Sequence, residues 1–264
     1  MSQNQYLNQS IKKYWIRVWL WMRIWCHVVS GLLTLSLQFP FMGQDAKDRH
    51  IKTWSLRLLS IFRIKLKTVG GQHLPSSPFL LAANHISWMD IHAINAYRPI
   101  RFVAKSDVES WPVFGWMAKQ LGTVFIKRDS ARHGRHVANE VSKVLAREPV
   151  CIFPEGTSTL GEDVLPFRPN LFESAVIAGV PVYSLAISYK SADSGVRSNA
   201  PAFVGEMGLL ESISNILRSP GLIVELTFLP PSKDSLKDPI DRKQLALHSQ
   251  VAISALLQGD QGFM

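Results

Sequence analysis

The stretch richest in apolar positions runs from Tyr14 to Met42, and its last nineteen residues, Ile24 to Met42, contain no Asp, Glu, Lys or Arg. That length is enough to cross a thinned bilayer. His27, Ser30, Thr34, Gln38 and Pro40 interrupt the run. Trp15, Trp19, Trp21 and Trp25 crowd its beginning, mixed with Arg17 and Arg23. Trp and Arg together mark a membrane–water interface. The pattern predicts a membrane anchor, either a single pass or a helix buried in one leaflet. Residues 1–13 are polar and read as loose chain. A second helical pattern covers 46–66, where Ile51, Trp54, Leu58 and Ile61 recur at three- and four-residue steps among Arg49, Lys52, Arg57, Arg63 and Lys65. It reads as an amphipathic helix packed on a soluble domain or as a basic helix lying on anionic lipid. The two helices, joined near Gly43-Gln44-Asp45, would form a hairpin.

Beyond that hairpin the period changes. Short apolar runs over 64–69, 79–83, 101–104, 122–126, 150–153 and 180–188 read as strands. Helical patterns over 90–97, 112–120, 132–146 and 171–178 lie between them. The remainder holds a strand pair, 202–204 with 222–228, and a final helix near 241–257. Strands alternating with helices predict an α/β fold: a mostly parallel central sheet flanked by helices, preceded by an N-terminal membrane-associated helical hairpin. Such sheets take their ligands outside the carboxyl ends of the strands. The chain divides into residues 1–63, the anchoring helices, and 64–264, the α/β unit.

Composition narrows the class. Hydrophobic residues make up 47% of the chain and charged residues 19%, so the chain forms a core. The net charge of +9 favours an anionic partner. Lipid headgroups, a phosphorylated substrate or an acidic carrier protein fit. Nucleic acid is set aside, because the basic residues are dispersed and no zinc-finger, RNP or helix-turn-helix signature is present. Two cysteines, Cys26 and Cys151, offer neither a disulfide framework nor a CxxC metal site.

Three features fall just after predicted strands. In the first, Asn84-His85-Ile86-Ser87-Trp88-Met89-Asp90 puts a histidine and a carboxylate five residues apart. Five residues of continuous helix turn through about 500°, so the two side chains cannot share a helix face. They meet if His85 sits in the turn after a strand and Asp90 enters the first turn of the next helix. A carboxylate behind an imidazole fixes its tautomer and makes it a base. Ser87-x-x-Asp90 also fits a capping box, in which Asp90 only caps a helix. The second feature, Gly122 to Arg128, ends a buried strand in Lys127 and Arg128. Arg128 suits a phosphate by a bidentate fork, and a solvated strand terminus is the plainer alternative. The third, Phe153-Pro154-Glu155-Gly156-Thr157-Ser158, offers backbone N–H groups and hydroxyls to an anion, or is an ordinary tight turn. His85, Asp90 and His92 lack metal-ligand spacing, so no metal is expected. Taken together, the features suit a base that deprotonates a hydroxyl, cations that hold a phosphate, and an anchor that meets an insoluble substrate.

These blocks resemble the glycerolipid acyltransferases, specifically the bacterial 1-acylglycerol-3-phosphate acyltransferases. Residues 84–90 are similar to the His-x4-Asp block of that family, and Gly122–Arg128 to its Gly-x-x-Phe-Ile-x-Arg block. Phe153–Ser158 matches the third block and Val180-Pro181-Val182 the fourth. Val103–Asp107 followed by Pro112–Gly115 resembles the segment between. The resemblance covers roughly residues 65–230 and extends to the membrane-docking hairpin. It implies that 64–264 is a catalytic domain making phosphatidic acid from lysophosphatidic acid at an inner (cytoplasmic) membrane, with the site facing the cytoplasm. His85 would activate the sn-2 hydroxyl and Asp90 would orient it, with no acyl-enzyme. Lys105, Arg128, Glu155, Gly156 and Thr157 would shape the glycerol-phosphate pocket, and Pro181 would lie on the acyl-chain side. The donor would be acyl-CoA or acyl carrier protein (acyl-ACP), with no other cofactor. Many members carry Phe-Lys-x-Gly where this chain has Phe167-Arg168-Pro169-Asn170, which leaves the role of Arg168 and the acceptor headgroup open. Another lysolipid, such as lyso-ornithine lipid, is the alternative acceptor. A hydrolase is opposed by the lack of a Gly-x-Ser-x-Gly elbow. A non-catalytic membrane-binding module would need the hairpin but not His85 or Asp90.

Overall fold

The computed structural model describes residues 3–126, 131–231 and 241–259. Helix α1 (Gln3–Leu33) starts well ahead of the apolar stretch, and residues 3–13, read from composition as loose, are helical. They contain neither Gly nor Pro, so a helix nucleated in the apolar stretch propagates through them at one hydrogen bond per residue. A π-helical turn (Thr34–Gln38) and a 3-10 turn (Phe39–Phe41) end this segment before α2 (Gln44–Ile61). The span Val18–Phe41, 24 residues with mean hydropathy 1.4, is long and apolar enough to cross a membrane. Leu20, Ile24, His27, Val28, Leu35 and Phe39 face inward, whereas Trp15, Trp19, Met22, Trp25, Val29, Leu33 and Leu37 are exposed.

The hairpin is closed by aromatic contacts. The His27 ring stacks on Trp54 of α2 at 4.3 Å, and the Trp54 indole N–H donates to the His27 carbonyl at 3.2 Å. A Cβ on Gly31 would come within 2.8 Å of Trp54 Nε1, so glycine permits this approach. Trp54 also meets His92 at 5.4 Å, and His92 meets Trp88 at 5.8 Å. His92 lies on α3 (Met89–Tyr97), so the hairpin rests on the α/β unit through this stack.

Chain reversal after α2 uses Arg63 in the left-handed region (φ 57), where glycine is usual. That conformation costs roughly 1–2 kcal/mol. The guanidinium offsets it by donating to the carbonyls of Leu217 (2.9 Å) and Ser219 (2.7 Å) at the end of α8 (Leu209–Arg218).

Seven strands form one sheet: β1 (Ile64–Val69), β2 (Leu80–Ala83), β3 (Arg101–Lys105), β4 (Val124–Ile126), β5 (Val150–Ile152), β6 (Val182–Ser191) and β7 (Leu222–Leu229). Their spatial order is β1-β7-β6-β2-β5-β3-β4. Every pairing is parallel except β6 with β7. Strands β6, β2, β5, β3 and β4 therefore open their carboxyl ends on one edge. Alternate residues serve two cores. Leu81, Ala83, Cys151, Leu185 and Ile187 pack toward α1, α2, α3 and α8. Leu80, Ala82, Val150, Ile152 and Ala186 pack toward α6 (Ala131–Leu145), α7 (Glu173–Ala178) and α9 (Arg242–Gly259).

Two expectations change. Residues 202–204 are not a strand: the Phe203 N–H donates to the Ile86 carbonyl at 2.9 Å instead of pairing with β7. Strand β7 runs between β1 and β6 instead, and α8 precedes it in a region read only as a strand pair. The helix expected over 112–120 is α5 (Phe114–Gln120), and a short α4 (Ser106–Glu109), not expected, precedes it across a tight turn. There the Phe114 N–H donates to the Pro112 carbonyl at 2.7 Å across Val113 (φ 66).

Burial, reinforced by the charge of His27 when protonated, holds His92 down from 6.5 to about 4. A base depressed on folding stabilises the fold above its unfolded pKa and loses that contribution as pH falls through the folded one. Acidification from about pH 6.5 to pH 4 should therefore cost up to about 3 kcal/mol at this stack. Thermal unfolding of wild type and His92→Phe at pH 7 and pH 4.5 checks this: wild type should lose the larger share of its melting temperature. Equal losses would show that His92 does not carry the dependence.

Candidate active site

Strand β2 ends at Ala83, yet its ladder continues for one more rung through a side chain. The Asn84 amide donates to the Ile187 carbonyl at 3.0 Å and accepts the Ile187 N–H at 2.7 Å. Both peptide groups of Ile187 are satisfied, and the backbone of residue 84 is released to turn across the carboxyl edge. His85 sits in that turn and Asp90 in the first turn of α3.

The His85 Nδ1 and Asp90 Oδ2 lie 2.8 Å apart. Oδ2 also accepts the backbone N–H groups of Ile86 (2.7 Å) and Ser87 (2.9 Å), while Oδ1 accepts the Tyr189 hydroxyl at 2.7 Å. Asp90 has no exposed surface. The buried carboxylate is thus met by four donors at a helix N-terminus. Capping of the helix start and the contact with His85 coexist. Ser87 Oγ accepts the Met89 N–H at 3.2 Å, and the Asp90 carboxylate reaches back to Ser87 N while also meeting His85. A carboxylate only accepts, so the neutral imidazole carries its proton on Nδ1 and its lone pair on Nε2. The His85 side chain keeps 21% exposure. One ring face stacks on Phe153 at 4.1 Å, and Phe153 stacks in turn near Phe102 at 6.1 Å.

The turn after β5 braces the same histidine. Glu155 Oε1 accepts the His85 backbone N–H at 2.7 Å, and Oε2 accepts the Leu165 N–H at 2.9 Å. Glu155 is 4% exposed. Burial raises its carboxyl above the ordinary range, partly countered by those two amides. It is therefore a brace between two loops rather than a group offered to solvent. The His85 carbonyl accepts the Thr159 N–H at 2.9 Å. Gly156 closes the Phe153 turn with its N–H 3.1 Å from the Phe153 carbonyl, at φ 80, where a side chain would be strained. The Ser158 hydroxyl donates to the Phe203 carbonyl. It is thus engaged by a carbonyl rather than by a base, which weakens the hydrolase alternative.

Among the residues singled out from sequence, His85, Asp90, Glu155 and Gly156 come together. Lys105, at the end of β3, and Thr157 are exposed on the same edge. Arg168 is exposed, and its backbone N–H donates to the Pro154 carbonyl at 3.0 Å. Arg128 lies outside the described residues, just beyond β4. Pro181 sits at the opposite end of the sheet, where its carbonyl accepts the Leu80 N–H. Asn84, Phe153 and Tyr189 were not assigned roles from sequence. Asn84 and Phe153 adjoin or fall within the motif blocks, but Tyr189 reaches the site only through the fold.

Residues 65–188 match the Acyltransferase family profile. The Lyso-ornithine lipid O-acyltransferase of Pseudomonas aeruginosa is 35% identical over 229 residues, covering 85% of this chain and 86% of that protein. The 1-acyl-sn-glycerol-3-phosphate acyltransferase of Neisseria meningitidis serogroup B is 36% identical over 207 residues, covering 75% and 80%. The crystal structure of the 1-acyl-sn-glycerophosphate acyltransferase PlsC from Thermotoga maritima shares the fold at a TM-score of 0.65 and 21% identity. It covers 94% of this chain and 97% of that one.

Replacing Asn84 by Ala would strand both peptide groups of Ile187, at roughly 1–3 kcal/mol each. Asn84→Ala should lower the melting temperature by roughly 5–15 °C. An unchanged melting curve would mean that the rung contributes nothing.

Proposed function

The chain belongs to the acyltransferase family, and from that premise we propose that it moves an acyl chain from a thioester to the free hydroxyl of a lysolipid, with His85 as general base. The observation that carries the reading is the 2.8 Å contact between His85 and a fully buried Asp90 at the carboxyl edge of the sheet. In this reading Nε2 takes the hydroxyl proton as the oxygen attacks the thioester carbonyl. The tetrahedral adduct then collapses with cleavage of the C–S bond, and the proton passes from Nε2 to the departing thiolate. The products are an ester and a free thiol, and the enzyme is never acylated. General-base catalysis accounts for roughly 10²–10⁴-fold, and positioning supplies much of the rest.

The first acceptor is lysophosphatidate, acylated at its sn-2 hydroxyl to phosphatidic acid. Exposed Lys105 and Arg168 on the catalytic edge support a phosphate there, as do the Neisseria relatives named for that reaction. Lyso-ornithine lipid is the second reading. It is favoured by the name of the Pseudomonas relative and by Arg168-Pro169-Asn170, where Lys-x-Gly is expected. The donor is acyl-CoA or acyl-ACP; both are anionic and suit a chain of net charge +9. A thioester is already activated, so the chemistry requires no further cofactor.

The chain works at the inner membrane with its site toward the cytoplasm, where such donors are found. The exposed apolar face of α1 supports this. So does a second exposed group, Trp111, Val113, Phe114 and Trp116, beside the hairpin. Met117 from that segment packs on Leu35 and Phe39.

Purified protein assayed with both acceptors against both donors tests the reading. At least one acceptor should turn over, and His85→Ala should lower that rate at least about a hundredfold. Turnover with lyso-ornithine lipid alone would select the second acceptor, and no His85-dependent turnover with either would end the proposal. Only a neutral imidazole accepts a proton, so the rate should fall between about pH 8 and pH 5. A flat profile would remove His85 as the base.

A further inference from the structure

Strand β6 grips both ends of the catalytic turn. At one end the Asn84 amide bonds both peptide groups of Ile187. At the other, Tyr189, two residues further along β6, donates its hydroxyl to Asp90 Oδ1 at 2.7 Å. Tyr189 is 1% exposed and Asp90 is fully buried. Burial, then the charge of Asp90, holds the phenol far above its ordinary range, so it remains a neutral donor.

We propose that Tyr189 is a positioning residue of the acyl transfer, fixing the plane and the charge of Asp90 so that one oxygen, Oδ2, faces His85. The proposal rests on the reading of His85 as base. The geometry separates the two carboxylate oxygens. Oδ2 collects His85 Nδ1 and the amides of Ile86 and Ser87, all from the turn itself. Oδ1 is met from across the sheet by Tyr189. Without the phenol, Oδ1 would be a buried charged oxygen without that donor, and rotation about the Cβ–Cγ bond would lose its lock. There is an electronic consequence too. A donor on Oδ1 draws charge from the carboxylate and weakens its hold on the His85 proton. Removing the donor strengthens that hold, so the imidazole stays protonated to higher pH. Tyr189 thus tunes the base while packed among Leu185, Ile187 and Val224, out of reach of any substrate.

Tyr189→Phe keeps the ring and deletes only the hydroxyl. The expected result, per folded enzyme, is a kcat loss of about ten- to a hundredfold with little change in KM for either substrate. The acid limb of the pH–rate profile should move to higher pH. As a second variant, fluorinated tyrosine at position 189 makes a stronger donor in an unchanged packing site, and should move that limb to lower pH. Opposite movements support the proposal. If neither variant moves the limb, or if the activity of Tyr189→Phe falls only with its folded fraction, the proposal is overturned. His85→Ala, assayed in parallel, keeps the two readings apart. Activity that depends on His85 but is indifferent to Tyr189 ends this inference alone, whereas activity indifferent to His85 ends the acyl-transfer mechanism beneath it.

Discussion

A carboxylate with no exposed surface must be met by donors, and Asp90 is met by four. Much of the local architecture follows from supplying them. Two are amides of the turn itself, which forces residues 85–87 to curl around the side chain rather than continue β2. One is an imidazole, held at the distance a base requires. The last comes from β6, which fixes which strand must lie beside β2. The start of α3 sits where its unpaired N–H groups favour a negative charge. An uncompensated buried charge costs several kcal/mol, so the arrangement persists only while all partners are present.

The same helix ties the site to the apolar hairpin. Asp90 and His92 lie two residues apart on α3, which puts them on different faces. Asp90 turns to His85 and Tyr189, whereas His92 turns to Trp54 of α2 and to Trp88. Trp54 stacks in turn on His27 of α1. A continuous set of rings therefore runs from the inner face of the hairpin to the helix that carries Asp90. The hairpin is thus packed on that helix through the ring stack.

Legibility in the sequence followed the range of the interactions. The His85–Asp90 pair spans five residues, and its turn-then-helix geometry followed from helical periodicity. Strands read as apolar runs ending in motif residues came out parallel with their ends on one edge, because alternation with helices dictates that. What could not be read is long-range. Tyr189 meets Asp90 across 99 residues, and nothing local to β6 distinguishes that tyrosine from a core aromatic. Asn84 looked like a strand terminus, but its amide stands in for a peptide group. Residues 202–204 have strand composition, yet the Phe203 N–H serves the catalytic turn through Ile86 instead of a ladder. Arg63 occupies a left-handed position that sequence rules give to glycine, since its side chain is needed at the end of α8.

The two buried carboxylates of the site differ in role because their donors differ. Asp90 receives an imidazole and a phenol, groups whose protons and charge respond to chemistry. Among the described residues Glu155 receives only backbone amides, one from His85 and one from Leu165, and these do not titrate. The first carboxylate therefore holds the imidazole ring, and the second sets where its main chain lies. Between them His85 is fixed at its N–H by Glu155, at its carbonyl by Thr159, at Nδ1 by Asp90 and on one ring face by Phe153. The freedom lost in that way is lost on folding rather than at the moment of reaction, which is how preorganisation lowers a barrier. In the proposed transfer the group left to act is the Nε2 lone pair, and a base held so firmly selects its substrate by where the hydroxyl can be delivered. In the proposed transfer, acceptor choice falls to exposed side chains such as Lys105, Thr157 and Arg168 rather than to the buried pair.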